Sequence, residues 1–435
     1  MAGVIAVLRQ YVIENYPRQE EITLPNGEIN YPEVNAIINR LLMSTADVVY
    51  AKNGLPYAVR KQGAGLANLS AAGDTRAFIL TYSKDTASFT RENAMDKTKI
   101  ELGDDPTRSG VYSLTFSVYN FGNSALSYDI SALVMTEGVS DTLTYKGETV
   151  VTEEGYVLGG AAIEINRVSG GALNGKRLSV SAGETATVTV TITLSDADKD
   201  YLNKSFENGM YVEGFITLTA AEGTEIDLNV PYLAFYGDWT QAPLFDIDYY
   251  ETNRDELNDS IELLDKTLPD AYATRPIGGI QSDYISYLGS YFFIQNPNDK
   301  IIAASRDYVA LSNYEGTVHS LRFVWAGLLR NAAKIEITIT DAATGEVIFT
   351  RTENDVRKSY GDGGSIYPAN VEIEFDTQDY NLKNNTQYLV KLQGYVDYGD
   401  GGLVANESST FEFPFTVDFE APAAGPFCCL RGKTF

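Results

Sequence analysis

Along the first fifty residues, apolar side chains recur at helical spacing. "MAGVIAVLRQYVIENY" (1–16) predicts a first helix that stops at Pro17. Met1 to Leu8 is apolar all the way round, the pattern of a helix buried on every side, and no Ser, Thr, Asp or Asn stands ahead of it as a cap. "YPEVNAIINRLLMSTA" (31–46) predicts a second helix, with Pro32 in its first turn and Val34, Ile37, Ile38, Leu41 and Leu42 on one face. "KQGAGLANLSAA" (61–72) closes the segment, and its Gly63 and Gly65 imply a tight backbone approach.

From about residue 74 the period becomes two. "VYSLTFSVYNFG" (111–122) and "TATVTVTITLS" (185–195) alternate as half-buried strands do. "GMYVEGFITLTAAEGTEIDLNVPYLAFYG" (209–237) reads as a hairpin turning near Glu222 and Gly223. In its first strand Tyr211, Glu213, Phe215 and Thr217 share one face, and Val212, Gly214, Ile216 and Leu218 share the other. Both faces carry large side chains, so one belongs to a core and the other lies against a neighbour. Glu213 is the odd member, because a buried carboxylate is costly unless paired or hydrogen-bonded. It is expected at an interface with the helical segment or with a second sandwich, held by a basic or backbone donor. Residues 240–298 are mixed, with one surface helix in "TNRDELNDSIELLDK" (252–266). Strands return at "HSLRFVWAGL" (319–328), "KIEITITDAATGEVIFTR" (334–351), "NVEIEFDT" (370–377), "TQYLVKLQGYVDYG" (386–399) and "FEFPFTVDFEAP" (411–422).

The expected class is therefore mainly β, with two β-sandwiches in tandem behind a helical segment. The expected boundaries are 1–73 for the helical segment, 74–240 for the first sandwich, 241–298 for a linker with one short helix and 299–420 for the second sandwich. Residues 421–435 form a non-native or disordered tail.

Composition narrows the partners. The chain has 435 residues, 44% of them hydrophobic, with 29 Tyr and 19 Phe, enough for real cores. Lys and Arg number 33 against 59 Asp and Glu, a net charge of −26 that argues against nucleic acid and anionic membrane surfaces. The two cysteines, Cys428 and Cys429, are adjacent, which gives neither a disulfide framework nor a zinc spacing. No stretch approaches 18 apolar residues, so no membrane span is expected, and Met1 to Leu8 is too short for a signal peptide. Any secretion signal or wall anchor is expected outside this chain.

Candidate chemistry is sparse. His319, the one histidine, is followed by Ser320, but a strand turns consecutive side chains to opposite faces, so adjacency makes no Ser–His pair. Asp196, Asp198, Asp200 and Glu207 fall at positions 1, 3, 5 and 12 of a calcium loop, with Tyr201 where that loop needs Gly. A solvated connection between strands is the better reading. "YGDGGS" (360–365) and "YGDGGL" (398–403) read as turns, Trp239 and Trp325 as buried aromatics, and Cys428-Cys429 as part of an extraneous tail. No catalytic, cofactor-binding or metal residue is assigned, and no cofactor is expected.

Five stretches carry a family likeness. "MAGVIAVLRQYV", "LLMSTA" and "LPYAVRKQGAGLANLSAA" resemble the end of a subtilisin-like serine protease domain, with Met1-Ala2-Gly3 matching the last residues of its nucleophile motif and Thr45-Ala46 and Gln62 to Leu66 following in order. "NGMYVEGFITL" and "VPYLAFYGDWTQAPLFD" resemble the fibronectin type III-like domain of large cell-envelope proteases of the lactocepin type, through Gly209, Glu213 to Phe215, Pro231-Tyr232 and Gly237 to Trp239. The resemblance implies that residues 1–73 are the helical remnant of an α/β catalytic domain and that the Asp, His and Ser of its triad lie ahead of Met1. It implies protein or peptide substrates for the parent enzyme, the cell wall as a further partner, and an extracellular or wall-associated site. The rival expectation is a non-enzymatic adhesion or binding module built of tandem sandwiches.

Overall fold

The computed structural model describes residues 2–16, 22–23, 29–30, 32–83, 86, 89–91, 93–145, 148–221, 225–246, 248, 250, 274–281, 284–296, 299–313, 317–362, 365–397, 402–405 and 409–419. The chain is mainly β and divides into two compact units, Met1–Trp239 and Thr240–Phe435.

The first unit opens with α1 (Ala2–Asn15), β1 (Ile22–Thr23), β2 (Ile29–Asn30), α2 (Pro32–Ser44), α3 (Val59–Gln62) and α4 (Leu69–Asp74). It continues with β3 (Ala77–Leu80), β4 (Ile100–Asp104), β5 (Val111–Asn120), β6 (Leu126–Tyr145), β7 (Glu148–Val157), β8 (Ala162–Ser169), β9 (Ala172–Asn174), β10 (Arg177–Val180), β11 (Thr185–Thr193), α5 (Asp196–Ser205), β12 (Met210–Ala220) and β13 (Leu228–Tyr236). One sheet runs β4-β13-β12-β6-β10-β9 with β7 beside β6, and the other runs β3-β5-β11-β8. Their inner faces enclose Leu114, Phe116, Val188, Val190, Val212, Ile216, Val230 and Tyr232, all buried.

The alternation of β3 joins this core to a second one. Ala77 and Ile79 face the sandwich, while Phe78 and Leu80 pack with Leu8 and Val12 of α1 and with Ile37, Ile38 and Leu41 of α2. Hydrogen bonds cross the same boundary: Ile79 N–H donates to Ser44 Oγ at 2.9 Å, and Arg40 donates to the carbonyls of Ala94 and Met95 at 2.9 and 3.0 Å. Helix α1 is buried at Leu8 and Val12 but not on every side, because Ile5 and Val7 are 39% and 56% exposed. The apolar surface of the helical segment is thus only partly covered.

Two further sequence expectations change. The acidic stretch after β11 is a helix, α5, rather than an open connection, because Ser195 and Asp198 form a capping box. Gly65 does mark a close approach, with φ of 123° and an added Cβ falling 2.3 Å from Asp47 O, whereas Gly63 has open space around it and serves only as the left-handed residue ending α3.

The second unit contains β14 (Arg275–Gln281), β15 (Tyr284–Tyr287), β16 (Ser290–Asn296), β17 (Asp299–Ala304), β18 (Ala310–Leu311), β19 (Ser320–Ala326), β20 (Ala332–Asp341), β21 (Val347–Val356), β22 (Tyr360–Asp362), β23 (Ser365–Tyr367), β24 (Ala369–Asp376), β25 (Thr386–Asp397), β26 (Leu403–Val404) and β27 (Thr410–Val417). The sheets β15-β14-β19-β24 and β18-β27-β25-β20-β21 enclose Val324, Ile335, Ile337, Val390, Phe413 and Phe415. Within the stretch expected as linker, residues 275–281, 284–287 and 290–296 form strands, and β14 pairs with β19 from Arg275↔Trp325 to Gly279↔Ser320. The helix expected at 252–266 and the tail 421–435 lie outside the described residues.

The shared core predicts the outcome of removing the helical segment. Deleting residues 1–72 uncovers Phe78 and Leu80, each losing about 1.5–3 kcal/mol of burial. The first unit should then melt well below the intact chain while the second is unaffected. Domain-resolved calorimetry checks this, and an unchanged melt of the first unit would show that the helices are dispensable.

Candidate functional site

The outer face of β12 presents Tyr211, Glu213 and Phe215, and it is covered. Glu213 is 1% exposed. Its partner is Arg60 on α3, which donates from its backbone N–H to Oε2 at 3.2 Å and from Nε and Nη2 to Oε1 at 3.3 and 3.2 Å. The Arg60 Nη2 also donates to Glu137 Oε1. Met135 lies opposite Glu213 in the ladder between β6 and β12, so Glu137, two residues on, shares its face. The guanidinium sits 4.3 Å from the centroid of the Tyr211 ring. Tyr211, Phe235 and Trp239 then form an aromatic cluster with centroids 5.0 to 5.7 Å apart. Burial works against the charge on Arg60, but Glu213 and Glu137 outweigh it and raise the pKa above that of a free arginine.

Local structure fixes Arg60 in place. Gln62 folds its amide onto the loop before α3, accepting from Val49 N–H at 2.7 Å and donating to the Val49 and Tyr57 carbonyls at 3.1 and 2.6 Å. Asp47 and Leu66 exchange backbone hydrogen bonds across the Gly65 approach. On the sheet side Gly214 leaves room for Tyr232. A Cβ there would sit 1.9 Å from Leu133 O and 2.9 Å from the Tyr232 hydroxyl, which donates to Leu133 O at 2.8 Å. Asn229 on β13 reaches the other way, donating from Nδ2 to Ala46 O at 2.6 Å. The arrangement orients two segments against one another, and its groups are engaged with each other.

The other candidates are dispersed. His319 Nδ1 lies 3.0 Å from Asp376 Oδ2, while Ser320 Oγ donates to Gly279 O at 3.4 Å, so the two neighbours answer to different partners. Asp198 is buried and accepts from Ser195 and from Gly160 N–H, whereas Asp196, Asp200 and Glu207 are exposed. Among the described residues no group of three or more His, Cys, Asp or Glu could hold a metal ion. Trp239 and Trp325 are half-buried, and Trp325 carries Arg275 over its ring at 4.8 Å. Residues 363–364 and 398–401 of the Gly-Asp stretches, and Cys428 and Cys429, lie outside the described residues. Sequence reasoning marked Glu213 but missed Arg60 and Glu137. Arg60 stands inside the quoted "LPYAVRKQGAGL", and no local pattern ties it to a carboxylate 153 positions away.

Residues 100–233 match the Fn3-like domain family. The PI-type proteinase of Lactococcus lactis subsp. cremoris is 26% identical over 382 residues, covering 85% of this chain and 17% of the relative. The PII-type proteinase of Lacticaseibacillus paracasei is 26% identical over 386 residues with the same coverage. The chain thus spans about 17% of the length of the curated relatives it matches. Among solved structures, the PapD-like domain of human CEP192 aligns at 9% identity and a TM-score of 0.21, over 37% of this chain and 85% of that one. Over most of its length the chain is similar to the lactococcal cell-envelope proteinases, and residues 100–233 of its first unit resemble an Fn3-like domain.

Proposed function

We propose that this chain is a non-catalytic portion of a secreted, cell-envelope subtilisin-like serine endopeptidase. The parent acts on proteins or peptides outside the cell or at the cell wall, with the wall as a second partner. In such an enzyme a serine attacks the peptide carbonyl, a histidine moves the proton and an oxyanion hole holds the developing charge. The groups performing those steps belong to other parts of the parent. The observation that carries the reading is the similarity to proteinases at 26% identity over 85% of the chain. The described residues are consistent with it: the hydroxyl of Ser320, next to the one histidine in sequence, donates to Gly279 O instead of to the imidazole. The role left to the chain is mechanical: residues 1–73 back the catalytic domain, and Arg60 locks that backing to the first sandwich.

The purified chain should therefore show no turnover of casein or of a peptide library. Cleavage abolished by a serine-directed inhibitor would overturn the reading.

The lock generates its own expectation. Arg60→Ala leaves Glu213 buried without its cation and should cost about 3 kcal/mol or more. Glu213→Gln keeps an acceptor for the Arg60 N–H and should cost less, about 1–2 kcal/mol. The double variant Arg60→Met/Glu213→Leu should regain part of the Arg60→Ala loss, because neither buried charge remains at the pair. Denaturant titration of the first unit orders the three, and equal stabilities would mean that the pair contributes nothing.

A further inference from the structure

A cleft of about 360 Å³ opens where the two sheets of the first unit part. Its apolar lining includes Ile100, Leu102 and Tyr112, with the rings of Tyr82 and Phe89 tilted against each other at 4.4 Å between centroids. Glu101, Asp104 and Asp105 add three carboxylates, and no Lys or Arg lines it among the described residues. Asp104 accepts from Trp239 N–H at 3.3 Å, and Asp105 accepts from Ser109 and Gly110 N–H at 2.9 and 2.7 Å. Neutral donors hold both, so neither charge is cancelled. Glu101 meets Lys99, but that pair is exposed to solvent and worth little. Tyr112 is 5% exposed, and its hydroxyl has no hydrogen-bond partner among the described residues.

A second feature coincides with the cleft. Strand β5 is paired to β11 through residues 111–119, but to β3 only at residues 117–120, because β3 ends at Leu80. Along Val111–Phe116 one strand edge has no partner strand among the described residues. Six residues in a strand offer about three N–H and three C=O groups to one edge. Open edges are usually guarded by Lys, Pro or a bulge, and "VYSLTF" contains none of these.

We propose that this cleft binds an extended peptide bearing lysine or arginine, which adds as a strand to the free edge at Val111–Phe116. Backbone pairing supplies the affinity, and the carboxylates with the aromatic lining choose the side chains. A second copy of this chain is a poor occupant, since each copy carries a net charge of −26 and would bring acid to an acidic cleft. The proposal is independent of the protease reading.

The test titrates the full chain into fluorescein-labelled peptides of about seven residues, read by anisotropy at low and raised salt. Peptides alternating Lys with Val are compared with peptides alternating Glu with Val, and with a Lys/Val peptide N-methylated at alternate amides. The Lys/Val peptide should bind about tenfold or more tighter than the Glu/Val peptide and weaken with salt, and N-methylation should abolish binding. Glu101 and Ser113 are exposed, so Glu101→Lys/Ser113→Lys should melt as the parent does while losing about tenfold in affinity. Absence of binding, equal binding of the acidic or N-methylated peptide, or undiminished binding by that variant would overturn the proposal. So would a concentration-dependent dimer that the variant abolishes, because the occupant would then be a second copy. The peptide comparisons need no variant, so the proposal stays testable if the substitutions disturb folding.

Discussion

A carboxylate on the outer face of a sheet, 1% exposed, demands a cation, and the architecture of the first unit follows from meeting that demand. Glu213 sits within β12, on the face turned away from the sandwich core. Arg60 reaches it because α3 packs against this sheet at β13, and Gln62 and the Gly65 approach hold the loop around α3. Two further polar groups of the first unit are paired near this boundary. Asn229 takes the Ala46 carbonyl, and Glu225 takes Arg76 Nε at 2.8 Å and its N–H at 3.1 Å. A charged residue thus acts as a register mark: an apolar face would tolerate sliding, whereas three hydrogen bonds to one carboxylate do not.

The two units solve the same packing problem differently. In the second, β24 and β27 alternate buried with less buried positions along their whole length, so one face is core and the other meets solvent. In the first, β3 and most of β12 and β13 are buried on both faces. Strict alternation is the signature of a sheet covered once. Its loss is the signature of a sheet covered twice, and here the second cover is helical.

That contrast explains what could be read from the sequence. Clean alternation identified β5 and β11 without a structure, the stretches that hold β20, β25 and β27 were also read as strands, and the mixed faces of β12 pointed to a neighbour and to Glu213 as its contact. The partner was not legible, because pairing across 153 residues leaves no local periodicity. Strand β14 was missed because "RPIGGIQ" looks like a breaker. Its Gly278 and Gly279 instead admit close neighbours, Leu288 and Val318 beside the first and Arg322 and Ser320 beside the second, where a Cβ would collide. The acidity of "DADKDYLNKS" drew attention to metal binding, while Ser195 and Asp198, at capping-box spacing, were the stronger signal.

Arginine rather than lysine at position 60 completes the logic. The side chain must satisfy Glu213 through two nitrogens, reach Glu137 with one of them, and lie over the Tyr211 ring. A planar fork does all of this from one rotamer, and its weakly hydrated charge gives up water more readily than an ammonium does. A lysine would supply one point charge, and burial would press it towards the neutral form, leaving Glu213 short of its counter-charge. Burial presses on Arg60 too, but the two carboxylates overcome it. The cation is therefore fixed at every accessible pH, and the covering of the sheet does not depend on the acidity of the medium through this residue.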